Sequence, residues 1–421
     1  MRSSFDEEKF VANYRNRVTE TAYPDKDRDR ILTGQIYTPA EMIARLVGFD
    51  TTSRNSNLEL MAFVQDYLDG HGVAYSLVPN EDGSKTSLFA TIGPRDAGGG
   101  IALSGHTDCV PVDGQAWTSD PFTVVERDGR LYGRGTCDMK GFVAISLAMV
   151  PEFLKQPLAT PIHLALSYDE EVGCTGVRPM IAELGDRLPK PQVVIVGEPS
   201  DMAVANAHKT IRAYVTEVTG HEAHSSQIQQ GANAILAAAE LIGEITRMRE
   251  EAIAAGDPSG LFYPPYTTIH VGQISGGTAH NIVPLKCWFD WETRTLPDVD
   301  PDQFPDRLNR YADTVVLPKL RAVAPTTDIR TVLRAGVHGL APEENSLAEA
   351  LARKFSGANS TQTVAYATEG GLFQERGIST VVCGPGSIDQ AHQPDEFIEL
   401  SQVDACVAFM HRLTETARAG I

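Results

Sequence analysis

The stretch LSGHTDCVPVDG (103–114) places a histidine, His106, two residues before an aspartate, Asp108, at the end of an apolar run. A histidine in such a place is a packed core residue, a general base or a metal ligand. Residues of matching chemistry follow other apolar runs. Asp169, Glu170 and Glu171 come after IHLALSY, Glu198 after VVIVG, and His392 beyond the glycine-rich loop that follows TVVCG. Asp138, in YGRGTCDMKG, stands just before a long apolar stretch. Two histidines with several carboxylates and no thiolate suit zinc, cobalt or manganese better than a soft metal. A metal-bound histidine usually gives its second ring N–H to a carboxylate, and Asp108 is placed for that task. Singly, each residue has a plainer explanation: a solvated Glu-Glu turn, an ordinary GEPS loop, a surface histidine in AHQP. What joins them is where the elements deliver them.

The apolar runs SLFATIG (87–93), GIALSG (100–105), IHLALSY (162–168), VVIVG (193–197) and TVVCG (380–384) are short and alternate with helical patterns, as in an α/β sheet. Ligands of open α/β sheets bind outside the carboxyl ends of the strands. His106, the 169–171 carboxylates, Glu198 and His392 would therefore meet at one sheet edge. FVAISLAMVPEFL (142–154) and VRPMIAEL (177–184) read as helices, and TPAEMIARLVGF as a helix with Thr38 as cap, Pro39 in its first turn and Glu41 completing a capping box. From about 209 to 330 the texture changes. IRAYVTEVTG and LKCWFDWETRTL alternate at period two and flank a long amphipathic helix, with another helical pattern behind them. The fold class expected is α/β: a mixed-sheet catalytic domain with helices on both faces, residues 1–208 and 331–421, interrupted by an inserted α+β dimerisation or lid domain, residues 209–330. Residues 1–35 read as a polar helical extension.

The chain has 421 residues, 42% apolar and 22% charged, too long for one ordinary core. A net charge of −19 argues against nucleic acid or an anionic membrane surface as partner. No apolar run approaches the roughly 20 residues of a membrane span, and the charged start carries no secretory signal. Six cysteines without a CxxC pair fit free thiols in a reducing cytoplasm.

The phrases GHTDxVP, GRGxxDMKG, the DEE after a strand, GEPS and CGPGSIDQAHQPDEF resemble the di-zinc amidohydrolase family of amino-acid deacylases, desuccinylases, aminopeptidases and carboxypeptidases. The resemblance runs from about residue 38 and includes the insert. It implies two divalent ions, Zn²⁺ first with Co²⁺ possible. It implies that Asp138 bridges them, that His106 and Glu198 complete one site, and that Glu171 and His392 complete the other. It makes Glu170 the general acid/base, and it implies a cis peptide at Asp138–Met139; Asp108, orienting His106, is counted with Glu170 and His224 among the catalytic residues. It favours His224 over its neighbour His221 as donor to the developing oxyanion. It makes Arg294, assisted by Asn281, the anchor of a substrate α-carboxylate. Separately, the glycines before LFQER, Gly370 among them, either let backbone N–H groups approach substrate or simply start a helix. The activity implied is hydrolysis of the amide of a small N-acyl amino acid by a cytoplasmic homodimer joined through the insert. N2-acetyl-L-ornithine comes first as substrate; another acylated amino acid such as succinyl-diaminopimelate, or a dipeptide, comes behind it. A catalytically inactive binding scaffold is the reading of a different class. His163 is expected to be packed, and His208 and Lys209 to be hinge or surface residues.

Overall fold

The computed structural model describes residues 34–95 and 98–421; the extension expected over 1–35 lies almost wholly outside them. The chain forms two compact units. The first comprises residues up to Asn206, Pro342–Gln362 and Thr368–Ile421; the second comprises Ala207–Ala341 and Thr363–Ala367. An insert ending at residue 330 would cut a strand that runs to Val337, which is why the second unit continues to 341.

In the first unit, helices α1 (Pro39–Val47) and α2 (Leu58–Gly70) precede strands β1 (Ala74–Pro79), β2 (Thr86–Ile92) and β3 (Ile101–His106). After them come β4 (Val125–Arg127), β5 (Arg130–Tyr132), helices α3 (Lys140–Ala148) and α4 (Val150–Leu154), β6 (Ile162–Ser167), α5 (Val177–Ala182), β7 (Val193–Pro199) and β8 (Val204–His208). The α1 capping box forms as its sequence requires. Thr38 accepts from the Glu41 backbone while Glu41 takes the Thr38 N–H, and Met42, Ile43, Leu46 and Val47 are buried. The single helix expected over 142–154 divides into α3 and α4, with Pro151 in the first turn of the second, where it needs no N–H donor.

The second unit is built on β9 (Thr210–Thr219), α6 (Ala234–Ala255), β10 (Thr268–Gly276), β11 (Lys286–Thr295), α7 (Gln303–Tyr311), α8 (Leu317–Arg321) and β12 (Asp328–Val337). Its four strands lie in the order β10-β11-β9-β12, with β9 antiparallel to both β11 and β12. Tyr214 stacks on Trp291 with ring centres 4.5 Å apart, and both pack with Ala238, Leu241 and Ile245 of α6 and Leu308 of α7. Beyond the insert the chain adds α9 (Leu347–Ser356), β13 (Thr361–Val364), α10 (Gly370–Glu375), β14 (Ser379–Gly384), β15 (Phe397–Glu399) and α11 (Leu400–Ala419).

The large sheet has the order β1-β2-β6-β3-β7-β14-β8-β13. Its centre, β6, β3, β7 and β14, is parallel, and β1 and β2 are antiparallel additions. The register fixes the site: His106 pairs with Ser167, Ser104 with Val196, and Gly384 with Pro199. The strand ends carrying His106, the 169–171 turn, Glu198 and the loop toward His392 therefore share one edge of the sheet. Such buried central strands read as continuous apolar runs, as parallel sheets require. Two glycines let α3 come close beneath that edge. A Cβ at Gly105 would meet Met139 Cε at 2.8 Å, and one at Gly197 would meet the Phe142 ring at 2.0 Å.

Candidate metal centre and active site

His106 is buried at the end of β3. Its Nε2 lies 3.1 Å from Asp138 Oδ1 and 3.6 Å from Glu198 Oε1. The other Asp138 oxygen, Oδ2, lies 3.1 Å from His392 Nε2, which is also 3.1 Å from Glu171 Oε2. One carboxylate thus faces a histidine with each oxygen, and each histidine has a glutamate of its own. The peptide Asp138–Met139 is cis. Two groups, His106 with Glu170 and Glu198 and His106 with Asp138 and Glu171, bring their donor atoms within 4.8 Å of one another. Proximity alone does not separate the roles of Glu170 and Glu171.

The 169–171 turn is held from behind. Asp108 accepts the Glu170 N–H at 3.1 Å and the Ser53 hydroxyl at 2.7 Å. Lys85 pairs with Asp169 at 2.5 Å. The Asp108 carboxylate is 3.4 Å from His106 Nδ1, whereas the carbonyl of the same residue is nearer, at 3.0 Å. Asp108 thus meets the imidazole with both its carbonyl and its carboxylate, and the carboxylate also serves the glutamate turn. Ser53 and Lys85 carry no motif that would mark them in advance. Cys174 is buried with its thiol 3.2 Å from Glu170 Oε1.

The electrostatics ask for positive charge. Burial pushes Glu198 and Glu170 well above the usual carboxylate range, and the charges of Asp138 on Glu198 and of Glu171 on Glu170 push the same way. Burial alone would lower His106, but its bonds to Asp108 and Asp138 hold it well above its ordinary value. Asp138 is driven down despite burial, because both histidines bond to it. A set of carboxylates and imidazoles buried this closely fits divalent metal ions: hard and borderline donors, no thiolate, and an excess of negative charge that a cation would offset.

Gly370 stands at the start of α10. Its N–H donates to Thr368 Oγ1 at 3.0 Å. Beside it Glu369 is buried, accepting from Ser104 Oγ at 3.1 Å and from Ser167 Oγ; burial first of all pushes it to about 7. His163 is packed, with Thr91 Oγ1 and the Gly99 carbonyl each at 3.0 Å. His208 and Lys209 are buried instead of exposed, and Lys209 Nζ holds the Pro264 and Tyr266 carbonyls at 2.8 and 2.6 Å.

In the second unit, His224 is exposed. Its Nδ1 accepts the Ser226 N–H at 3.2 Å, which leaves Nε2 to carry the proton of the neutral ring. Asn281 is next to it, its carbonyl taking the Ser225 N–H at 3.0 Å. Arg294 is elsewhere. It bonds Glu292 at 3.0 Å and the Ala365 carbonyl at 3.3 Å, near the far end of β11. From Lys286 to Arg294 an extended strand covers roughly 27 Å at about 3.4 Å per residue. Asn281 and Arg294 of one chain are therefore well separated along the second unit.

Residues 102–416 match the model of peptidase family M20/M25/M40, and the chain belongs to that family. It is a hydrolase acting on amide bonds. It is similar to the acetylornithine deacetylase of Myxococcus xanthus, 34% identical over 376 residues that cover 88% of this chain and 95% of that one. To the acetylornithine deacetylase of Proteus mirabilis it is 33% identical over 367 residues, 87% and 92% of the two chains. Among solved structures it shares the fold of an M20 family metallo-carboxypeptidase from Sulfolobus solfataricus, with a TM-score of 0.70, 18% identity and coverage of 91% and 100%. A dinuclear metal-binding M20 peptidase from Bacillus subtilis gives a TM-score of 0.62 at 12% identity, with coverage of 91% and 99%.

Proposed function

We propose that the chain removes the acetyl group from N2-acetyl-L-ornithine, giving L-ornithine and acetate within arginine biosynthesis. The observation that carries the chemistry is the gathering of His106, Asp138, Glu171, Glu198 and His392 around one buried edge with Glu170 among them. The choice of substrate is supported by the acetylornithine deacetylases that the chain resembles along most of its length.

Asp138 would bridge two divalent ions, Zn²⁺ first and Co²⁺ as the alternative, with His106 and Glu198 on one and Glu171 and His392 on the other. Bound there, such ions make water a stronger acid and stabilise negative charge on the substrate oxygen. Glu170 takes the proton from the attacking water and delivers it to the departing amine nitrogen. Asp108 holds the turn that aims Glu170. His224, with its proton on Nε2, donates to the developing oxyanion. Arg294 grips the α-carboxylate, whose two oxygens suit a planar guanidinium.

We further infer a cytoplasmic homodimer joined through the second unit. Strand β10 is an outer strand of its sheet, and Ile274 on it, Ile228 and Leu236 are 52%, 68% and 67% exposed. A second copy would also supply His224 and Asn281 to a site whose own Arg294 is a strand's length from them.

The test is release of free amine from acetylornithine, acetylmethionine, succinyl-diaminopimelate and a dipeptide, before and after chelation and with Zn²⁺ or Co²⁺ restored. Metal-dependent hydrolysis led by acetylornithine is expected. Activity led by another member of the panel would discard the substrate and keep the chemistry. Hydrolysis that survives complete metal removal would sink the mechanism.

A further inference from the structure

We propose that Glu396, Arg134 and Gln115 are positioning residues, a clamp that fixes the spacing of Asp138 and His392 and thereby the affinity for the ion His392 helps to hold. The inference rests on the reading of Asp138 and His392 as metal ligands.

Glu396 and Arg134 form a salt bridge at 2.5 Å with side chains 0% and 1% exposed. The Arg134 guanidinium donates to Glu396 Oε2. Glu396 Oε1 collects three backbone N–H groups from one short loop: Gly135 at 3.0 Å, Cys137 at 2.9 Å and Asp138 at 3.0 Å. A carboxylate that takes three amides within four residues holds the loop as one piece, and the loop ends on Asp138. The remaining reach of Arg134 goes the other way. Its Nη2 donates to Gln115 Oε1 at 2.6 Å, and Trp117 Nε1 donates to the same oxygen at 3.0 Å. Two donors on that oxygen settle the orientation of the amide, so Gln115 Nε2 is the atom that meets the His392 carbonyl at 2.9 Å.

An unbroken path of hydrogen bonds therefore runs from the Asp138 amide through Glu396, Arg134 and Gln115 to the backbone of His392. Glu396 is also four residues beyond His392 in the chain, which closes the path into a ring. His392 needs such support. Its side chain is 50% exposed, whereas those of His106, Asp138, Glu171 and Glu198 are 1%, 7%, 9% and 5% exposed. The other four are enclosed by the protein; His392 depends more on its backbone, which sits at φ +63°, a conformation non-glycine residues keep only when their surroundings impose it. A second tie secures the same loop, as Asp395 Oδ1 accepts the backbone N–H and the hydroxyl of Thr118 at 2.9 and 3.0 Å. A buried ion pair needed only for stability could be replaced by apolar side chains; here its bonds go to the two loops that carry ligands.

The deciding variant is Gln115→Glu. It keeps the shape and the acceptor facing Arg134 and Trp117, but replaces the donor facing the His392 carbonyl with an acceptor. Zn²⁺ and Co²⁺ affinities of the metal-free protein are measured by chelator competition for wild type, Q115E and H392A, together with the melting temperature of each metal-free protein. The expected result is two ions on wild type and a 10- to 100-fold weakening of one of them in Q115E, the usual cost of losing an outer partner. The weakened ion should be the one H392A loses, with the metal-free melting temperature unchanged. Glu396→Gln should weaken both ions, because it loosens Asp138, which they share. Wild-type affinities for both ions in Q115E overturn the clamp and leave the metal reading intact. Equal weakening of both ions in Q115E with a lowered metal-free melting temperature makes the role merely structural and also overturns it. A wild type that takes up neither ion overturns the metal reading and the clamp with it.

Discussion

The groups at the sheet edge and the groups on the insert are built in opposite ways. His106, Asp138, Glu170, Glu171 and Glu198 are buried or nearly so, and backbone amides, hydroxyls and buried charges fix their positions. His224 and Asn281 are exposed, and Arg294 is half-exposed and held by a single carboxylate and one carbonyl. The contrast matches the tasks. Gathering like charges in a small volume is unfavourable unless the scaffold compels it. Reading a substrate leaves room for groups that move. The edge should therefore control turnover and metal, and the insert should control recognition and the finishing of the transition state.

The sharpest way to break the comparison is Glu170→Ala. It should keep its metal and lose about 10²- to 10⁴-fold in kcat, the usual contribution of a positioned acid/base. Normal turnover would remove Glu170 from that role. Next comes His224→Ala, expected to lower kcat by about 10²- to 10³-fold with little change in KM, as an oxyanion donor does. A change in KM alone would make His224 a binding residue and confine the insert to recognition. Arg294→Ala should raise KM by about 10- to 100-fold for substrates with a free α-carboxylate, the worth of a charged hydrogen bond. If substrates with an amide-capped carboxyl suffer equally, Arg294 is not the anchor.

The smallest effect expected involves no chemistry. Burial holds His208 at about 4 from an ordinary 6.5, against a weaker upward pull from its bond to the Lys209 carbonyl. Between those values the unfolded chain binds the proton and the folded chain does not. Stability is thus fully present above pH 6.5 and falls as the pH drops toward 4, by about 3 kcal/mol from this residue. Unfolding by urea across pH 4–7 should show the slope in wild type and a flatter one in His208→Gln. An unchanged slope in the variant would assign the loss to other groups.

Much of the edge was legible because parallel strands in a buried sheet leave an unmistakable trace, a short apolar run that stops, and the residue after the stop is where ligands gather. His106, Glu198 and the glutamate pair were found that way, and the GRGTCDMKG loop by its carboxylate ahead of an apolar helix. Glu396 was not, since a carboxylate in HQPDEF looks like any loop acid until Arg134, more than 250 residues away in sequence, is brought to it. Ser53 and Lys85 were missed for the same reason: their partners are fixed by tertiary packing. Strands β10 and β12 escaped notice because outer strands need no clean alternation of apolar and polar residues, and their side chains are largely exposed or half-exposed. The separation of Asn281 from Arg294 could have been foreseen, because the alternating run between them is long enough to carry one away from the other.

The strand order has a consequence for how the centre comes into being during synthesis. Strand β14 lies between β7 and β8, although the whole insert separates it from them in the chain. While the ribosome is still making the insert, the nascent chain already contains His106, Asp138, Glu171 and Glu198, but neither the strand that completes the sheet beside them nor His392. Contacts that close loops of this length form late and slowly. On the reading of these residues as metal ligands, an ion captured early would meet only part of them, and full loading would await the finished polypeptide, after β14 has threaded home.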